Sequence, residues 1–516
     1  MSNVSSLNQT AAIALNQKNL TQLPSSVKVP SYNRNELRTG IVHVGVGGFH
    51  RSHEAFYTDE YIQTSGDLSW GICGIGLREG DRKMQGLLKQ QDNLYTLLVK
   101  HPNGSAHAQV IACLTDFLLA GDNPQAVVDK MAHADTKIVS LTITEGGYNY
   151  DPVTDAFDFS HPDAIFDLQN LAVNNACLDV NKPPRLVFTY LAAALKVRKE
   201  AGEKAFTVQS CDNIQHNGNM TRNMLLAYVE HFDPELAKWI SEEVCFPNAM
   251  VDRITPATSP EDTLFLKNNM QLVDAWPVVC EPFAQWIIED KFSDARPLWE
   301  KVGAQFVSDV TPYEKMKIRL LNAGHSVLGI LGSIEHQTTI DKAVSTPIFG
   351  QYLRLFMDTE ATPALDPVEG IDINEYKDIL FERFANPNIK DKLERICLDS
   401  SSKINTFLVP TVLHNLQTKG SIKLACLVLA AWCYYSDKRV NDKGEALDIN
   451  DPLADELHAC AKHTQSNKLA FLDMEAVFGE LKQDERFVAE YEKQVSALYA
   501  SNNIVTQMRE LISTCK

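Results

Sequence analysis

The chain has 516 residues, 44% of them hydrophobic and 22% charged, the composition of a globular protein with two to four domains at roughly 100–200 residues each. Its 66 acidic and 48 basic residues give a formal net charge of −18. That balance argues against nucleic-acid or membrane partners, which need a basic surface, and leaves open only a local basic pocket for a small anion.

Residues 1–37 are polar, carry Pro24 and Pro30, and read as an extension outside the core. They show no basic start followed by an apolar run, so no secretion signal is expected. Eleven cysteines without a C-x-x-C pair fit reduced thiols in a cytoplasmic protein. Residues 41–44 form a β-prone run that stops at glycines, and 54–62 continue as a helix. Strand, glycine turn and helix open a βαβ unit. Further strands are expected at 70–77, 110–114, 138–143 and 205–210, with helices over 123–134 and 186–201. That alternation predicts a mostly parallel sheet. Beyond about residue 221 long amphipathic segments dominate, among them 314–336, 346–357 and 484–500, and predict an α-rich second half. The longest apolar run, 424–435, is shorter than the roughly 20 residues of a membrane span and predicts a buried helix.

Gly45 and Gly47 let backbone approach a nucleotide pyrophosphate. His50 stands where the third glycine of G-x-G-x-x-G belongs, so the fingerprint is incomplete. Its place after the first strand favours a dinucleotide site over a plain turn. Glu79 and Asp81, after the second strand, are candidates for the ribose hydroxyls. Arg78 and Arg82 beside them could instead hold a 2′-phosphate, so spacing leaves the cofactor open. His50 and His53 next to Glu54 suggest a metal pair but lack the H-E-x-x-H spacing, and no metal is expected.

On a regular helix with Lys317 at zero, Glu314 lies near 60°, His325 near 80° and Asn322 near 140°, at about 100° per residue. The four share one face, and the lysine, amide and histidine converge over about 12 Å of helix. They could serve proton transfer and oxyanion binding, or be a solvated face with an i, i+3 pair. Lys317-x4-Asn322-x2-His325 resembles the signature of the polyol-specific long-chain dehydrogenases. Further blocks resemble the same family: the glycine turn, 139–148, 210–218, 246–256, 276–282 and 393–403. Together they cover about residues 38 to 500.

The resemblance implies an α/β fold: a Rossmann-type NAD-binding domain over 38–235 and a mainly α-helical substrate and catalytic domain over 236–516. A strand near 246–254 could extend the first domain's sheet. It implies reversible hydride transfer between D-mannitol and D-fructose with NAD as cofactor. Arabinitol 4-dehydrogenase or hexuronate reductase activity is the alternative within the family, and a non-catalytic NAD sensor the alternative outside it. By the same resemblance Lys317 is the general acid/base, Asn213 and Asn322 form the oxyanion hole, and His325 orients the substrate. Asp252, Arg395 and Lys403 bind other hydroxyls, and Glu314 relays the proton. Asp81 selects NAD. Ile41, Val42, His43, Val44, Gly45, Val46, Gly47, Gly48, Phe49, His50, Arg51, Ser52 and Glu145 lie along the cofactor. A lysine with an ordinary pKa near ~10.4 must be lowered to act as a base near neutral pH, which desolvation in a closed cleft would do. A monomer is expected.

Overall fold

The computed structural model describes residues 12–152, 154–173 and 181–515. The chain divides into two compact units between Val310 and Thr311. The first is built on five parallel strands: β1 (Thr39–Val44), β2 (Gly71–Gly76), β3 (Leu114–Leu119), β4 (Ile138–Leu141) and β5 (Thr207–Ser210). Their spatial order is β5-β4-β1-β2-β3. Ile41, Val42, Ile72, Cys73, Ile138 and Val139 are fully buried, because both faces of a parallel sheet are covered. Val42, Val139 and Val208 pack with residues of helices Pro124–Ala132, Val187–Ala201 and Asn217–Glu230. Ile41, Ile72 and Ile138 pack on the opposite side with Tyr57, Tyr61 and Ile62 of helix Glu54–Ser65. The chain leaves β1 towards β2 on one side and reaches β4 on the other, so a crevice opens at the carboxyl ends of β1 and β4.

Two expectations about organisation need correction. The segment 1–37 is not an extension outside the core where it is described. Ile13–Ala14 pairs in parallel with Leu272–Val273, and Val27–Lys28 with Ala108–Gln109. Leu15 and Val27 are buried in the same core cluster. Arg34 donates to the carbonyls of Ala112, Asp92 and Leu114 at 2.8, 2.9 and 2.9 Å. Backbone pairing at a sheet edge asks for few apolar side chains, so a polar composition conceals it. The second correction concerns the boundary expected at 235/236, which falls inside the first unit. Strands Ala249–Asp252, Gln285–Glu289 and Gln305–Val307 form a three-stranded sheet there.

The second unit is helical. Its helix Lys423–Lys438 buries every residue from Leu424 to Cys433, as the apolar run predicts. Among the described residues no helix is long and apolar enough to cross a membrane. The segment expected as one helix over 314–336 is three: α-helix Thr311–Met316, π-helix Lys317–Asn322 and α-helix Ala323–Ile334. The Ala323 N–H donates to the Ile318 carbonyl, five residues back, the hydrogen-bond step of a π turn. Two further π turns, Met357–Ala361 and Ile404–Leu408, occur in this unit.

Candidate active site

In the first unit a cleft of about 1020 Å³ opens at the crevice between β1 and β4, lined by Val44, Gly45, Val46 and Gly47 and by Thr142, Ile143 and Thr144. Gly45 has φ +94°, and a Cβ there would stand 2.1 Å from the Thr142 carbonyl oxygen. A side chain is excluded on both counts. At Gly47 a Cβ would meet only the Gly45 carbonyl oxygen, at 3.8 Å, so the outer side of the turn is open to a ligand. The backbone therefore fits a dinucleotide pyrophosphate.

Asp81 lines the cleft with Arg78 and Glu79, and its carboxylate accepts the Arg78 N–H at 3.0 Å. The guanidinium of Arg82 is held by both oxygens of Glu79, at 2.5 and 3.0 Å, and by Asp122. Those pairs leave Arg82 engaged away from the role of a 2′-phosphate clamp. Glu145 is exposed and does not line the cleft. The neighbouring Thr144 does, held at φ 61°. The Asp212 carboxylate fixes that bend by accepting the N–H groups of Ile143 and Thr144, both at 2.9 Å, and the Tyr148 hydroxyl at 2.7 Å. Thr142 escapes sequence reading as a site residue because it meets Gly45 only through the pairing of β1 with β4, and Asp212 because it meets Ile143 and Thr144 only through the pairing of β4 with β5.

The rest of the predicted cofactor run points elsewhere. Ile41 and Val42 are core, and Gly48, Phe49 and His50 are not among the residues lining the cleft. Arg51 donates to the Trp276 carbonyl at 2.6 Å, and the Ser52 hydroxyl lies 2.7 Å from that of Thr255. His43 and His50 sit beneath the turn with Glu54, Ser140 and Thr142. Glu54 Oε2 is 2.9 Å from His43 Nδ1, 3.1 Å from His50 Nδ1 and 2.9 Å from Ser140 Oγ. Burial would raise the Glu54 carboxyl, but these hydrogen bonds outweigh it and hold the group well below the usual carboxylate range. Burial, with the His43 ring stacked beside it, pushes the His50 imidazole down to about 3. His53 turns away to the Gln285 carbonyl at 2.9 Å, so the His50/His53 pair does not form. His43, His50 and Glu54 do converge within 4.8 Å. The two rings, however, are stacked at 3.5 Å with planes 13° apart. Ring-nitrogen lone pairs lie in the ring planes, so near-parallel rings cannot direct both onto one ion.

Asn213 lies exposed in the loop after β5, and Asp252 ends strand Ala249–Asp252, buried. Asn217 ties loop to strand. Its amide donates to the carbonyls of Asp212 and Ala249 at 3.0 and 2.8 Å, and its oxygen accepts the Ala249 N–H at 2.9 Å.

In the second unit Lys317 and Asn322 are the first and last residues of the π turn, each 7% exposed. The separation near 140° expected on a regular helix does not hold, because i and i+5 are one hydrogen-bonded step apart in a π turn. Glu314, one turn earlier, is 4% exposed, so the solvated-face reading fails. His325 packs on Phe384 with ring centres 4.7 Å apart. Arg395 donates to Asp391, through Nε at 2.6 Å and also through Nη2, and this pairing raises its pKa. Lys403 Nζ donates to the Ile396 carbonyl at 3.0 Å. Both cations thus belong to one short stretch around Leu393–Ile396.

Comparison with known proteins agrees with both units. Residues 39–301 match the mannitol dehydrogenase Rossmann domain and 309–499 the mannitol dehydrogenase C-terminal domain. A mannitol 2-dehydrogenase of Aspergillus oryzae is 44% identical over 94% of this chain and 96% of its own length. One of Aspergillus fumigatus is 45% identical over 93% and 95%. Among solved structures, the ternary complex of Pseudomonas fluorescens mannitol 2-dehydrogenase with NAD and D-mannitol covers 97% of this chain and 100% of its own, at 43% identity and TM-score 0.86. A substrate-free D-sorbitol dehydrogenase covers 96% and 99%, at 35% identity and the same TM-score. The chain belongs to the mannitol dehydrogenase family.

Proposed function

We propose that the chain is an NAD-dependent oxidoreductase that oxidises the C2 hydroxyl of D-mannitol to give D-fructose, and catalyses the reverse. The observation that carries this reading is similarity over nearly the whole chain to a protein solved with NAD and D-mannitol. Gly45, Gly47 and Asp81 would hold the dinucleotide, which supplies the hydride acceptor when bound. Lys317 takes the proton of the reacting hydroxyl in oxidation and returns it in reduction. Asn213 and Asn322 are proposed as donors to the reacting oxygen, since amides stabilise a developing alkoxide without changing their own charge. His325 orients the polyol. Asp252, Arg395 and Lys403 are proposed for its remaining hydroxyls, and Glu314 for carrying the proton onward from Lys317. A lysine with amide donors needs no metal for this chemistry.

A hexuronate would require a cation for its carboxylate. The charge of Arg395 is balanced by Asp391, which supports hydroxyls of a neutral polyol over a carboxylate as its ligand. The test is a panel of mannitol, sorbitol, arabinitol and hexuronates with the purified chain, following the absorbance of reduced nicotinamide. Mannitol and fructose should show the highest kcat/KM. Higher kcat/KM for arabinitol or a hexuronate would reassign the substrate, and no turnover with any would support a sensor. We further propose a cytoplasmic monomer, which sedimentation of the purified chain would check.

A further inference from the structure

The glycine turn has little helix behind it. Helix Gly48–Ser52 has five residues and breaks at His53, with φ −120° and ψ −89°. Few aligned peptide dipoles therefore support an anion at the turn, because the favourable potential grows from their sum. His43 lies directly beneath, fully buried, and its neighbours determine its protons. Thr142 Oγ1 donates to the Gly45 carbonyl oxygen at 2.6 Å, a separation two oxygens reach only with a hydrogen between them. The Thr142 hydroxyl hydrogen is thereby committed. His43 Nε2 is 2.9 Å from that hydroxyl oxygen and 3.3 Å from the Gly45 carbonyl oxygen. It faces acceptors only, so it must carry a proton. On the other side Ser140 Oγ donates to Glu54 Oε2 at 2.9 Å. His43 Nδ1 is 2.9 Å from the same carboxylate oxygen and 2.8 Å from Ser140 Oγ, and with the Ser140 hydrogen given to Glu54 it too carries a proton. An imidazole with both nitrogens protonated is a cation.

We propose that His43 is a positioning residue for the nucleotide: a buried imidazolium, anchored by Glu54, that holds the Gly45–Thr142 contact and places positive charge behind the pyrophosphate. This rests on the reading that the turn binds NAD. Thr142 itself lines the cleft, so one side chain separates the charge from the ligand. A charge buried this deeply is screened by salt far less than a surface lysine. Three titratable groups face it: Glu54, the stacked His50, and Asp212 after β5. Glu54 sets the pair's orientation, with its positive end towards the turn and its negative end away. Two stacked rings cannot both be charged cheaply, so His50 is the neutral member and gives its Nδ1 hydrogen to Glu54.

Two experiments test this. The first is nitrogen-15 NMR of the histidine-labelled full chain without nucleotide, with His43 assigned by its disappearance in His43→Asn. Both ring nitrogens should report the imidazolium form at neutral pH. A neutral tautomer at neutral pH overturns the proposal. The second uses the double variant His43→Asn, Glu54→Gln, which replaces the charged pair by a neutral hydrogen-bonding pair. It should keep its melting temperature and its affinity for uncharged adenosine, and lose roughly three- to tenfold in NADH affinity, as expected for removal of an ion pair whose positive end is the nearer to the nucleotide. Equal losses for adenosine and NADH would mean a purely structural role and overturn the assignment, as would unchanged NADH binding. Absence of NADH binding in the parent chain would overturn the nucleotide reading and the pyrophosphate role, while the NMR result still judges the charge by itself. A double variant that fails to fold leaves that NMR test decisive.

Discussion

The two units prepare polar sites by different means. In the first, the candidate cofactor residues stand at the carboxyl ends of β1 and β4, where strand order reverses and a crevice opens by topology. In the second, Lys317 and Asn322 stand in the middle of a helix, which has no crevice of its own. There the helix changes its hydrogen-bond step from four residues to five, which brings an i, i+5 pair into one turn. The first arrangement depends on backbone that tolerates no side chain. The second depends on the chemistry of a few buried side chains in an altered register.

The strongest way to break this contrast is Lys317→Ala. It should lower turnover by roughly 10²–10⁴-fold, the usual cost of a positioned acid/base. NADH binding, followed by fluorescence, should survive because the nucleotide cleft belongs to the first unit. Near-normal turnover would remove the mechanism. Next in size is Gly45→Ala. It forces a left-handed residue costing about 1–3 kcal/mol, in addition to the clash with Thr142, and should abolish NADH binding while lowering the melting temperature. Gly80→Ala is the control, since φ there is −59° and its Cβ would meet nothing within 4 Å; a change under about 1 kcal/mol is expected.

Asp81→Ala sharpens the description of the cleft. Removing a carboxylate that repels a 2′-phosphate should narrow the NAD over NADP preference, roughly tenfold, as read from the ratio of kcat/KM values. A variant with unchanged preference would shift the selectivity to Glu79. Smaller still is Glu314→Gln. A proton relay predicts a displaced pH profile for oxidation and unequal effects on oxidation and reduction. Identical profiles in both directions would reduce Glu314 to packing. The smallest expected effect is none: dialysis against a chelator should leave activity intact, given the stacked geometry of His43 and His50. Loss of activity restored by zinc would overturn that.

The legible parts of the site were those carried by local patterns. A β-prone run ending in Gly45 and Gly47, a carboxylate at Asp81 after the next strand, and the Lys317, Asn322 and His325 spacing were all visible in the chain. The polar cluster under the turn was not. His43 and Ser140 are 97 residues apart and meet only because β1 and β4 are paired. The anchoring of Asn213's loop by Asn217 depends likewise on strand Ala249–Asp252, which lies beyond the expected boundary at 235/236 and which the sequence reading left open to either domain.

Local patterns carried what the sequence could give alone: the alternation that makes a parallel sheet, the glycine turn after its first strand, the buried helix at 424–435, and the lysine, amide and histidine as candidates. Register was decided by the tertiary structure. Which strand lies beside which sets whether Thr142 or Glu145 lines the cleft, and whether the N-terminal residues complete a sheet edge. Whether Asn322 lies a π turn from Lys317 or far round the helix depends on where one extra residue is accommodated. The physical reason is common to all three. Pairing and packing energies summed over distant segments outweigh local preferences, and a shift of one residue costs little locally while moving a side chain to another face.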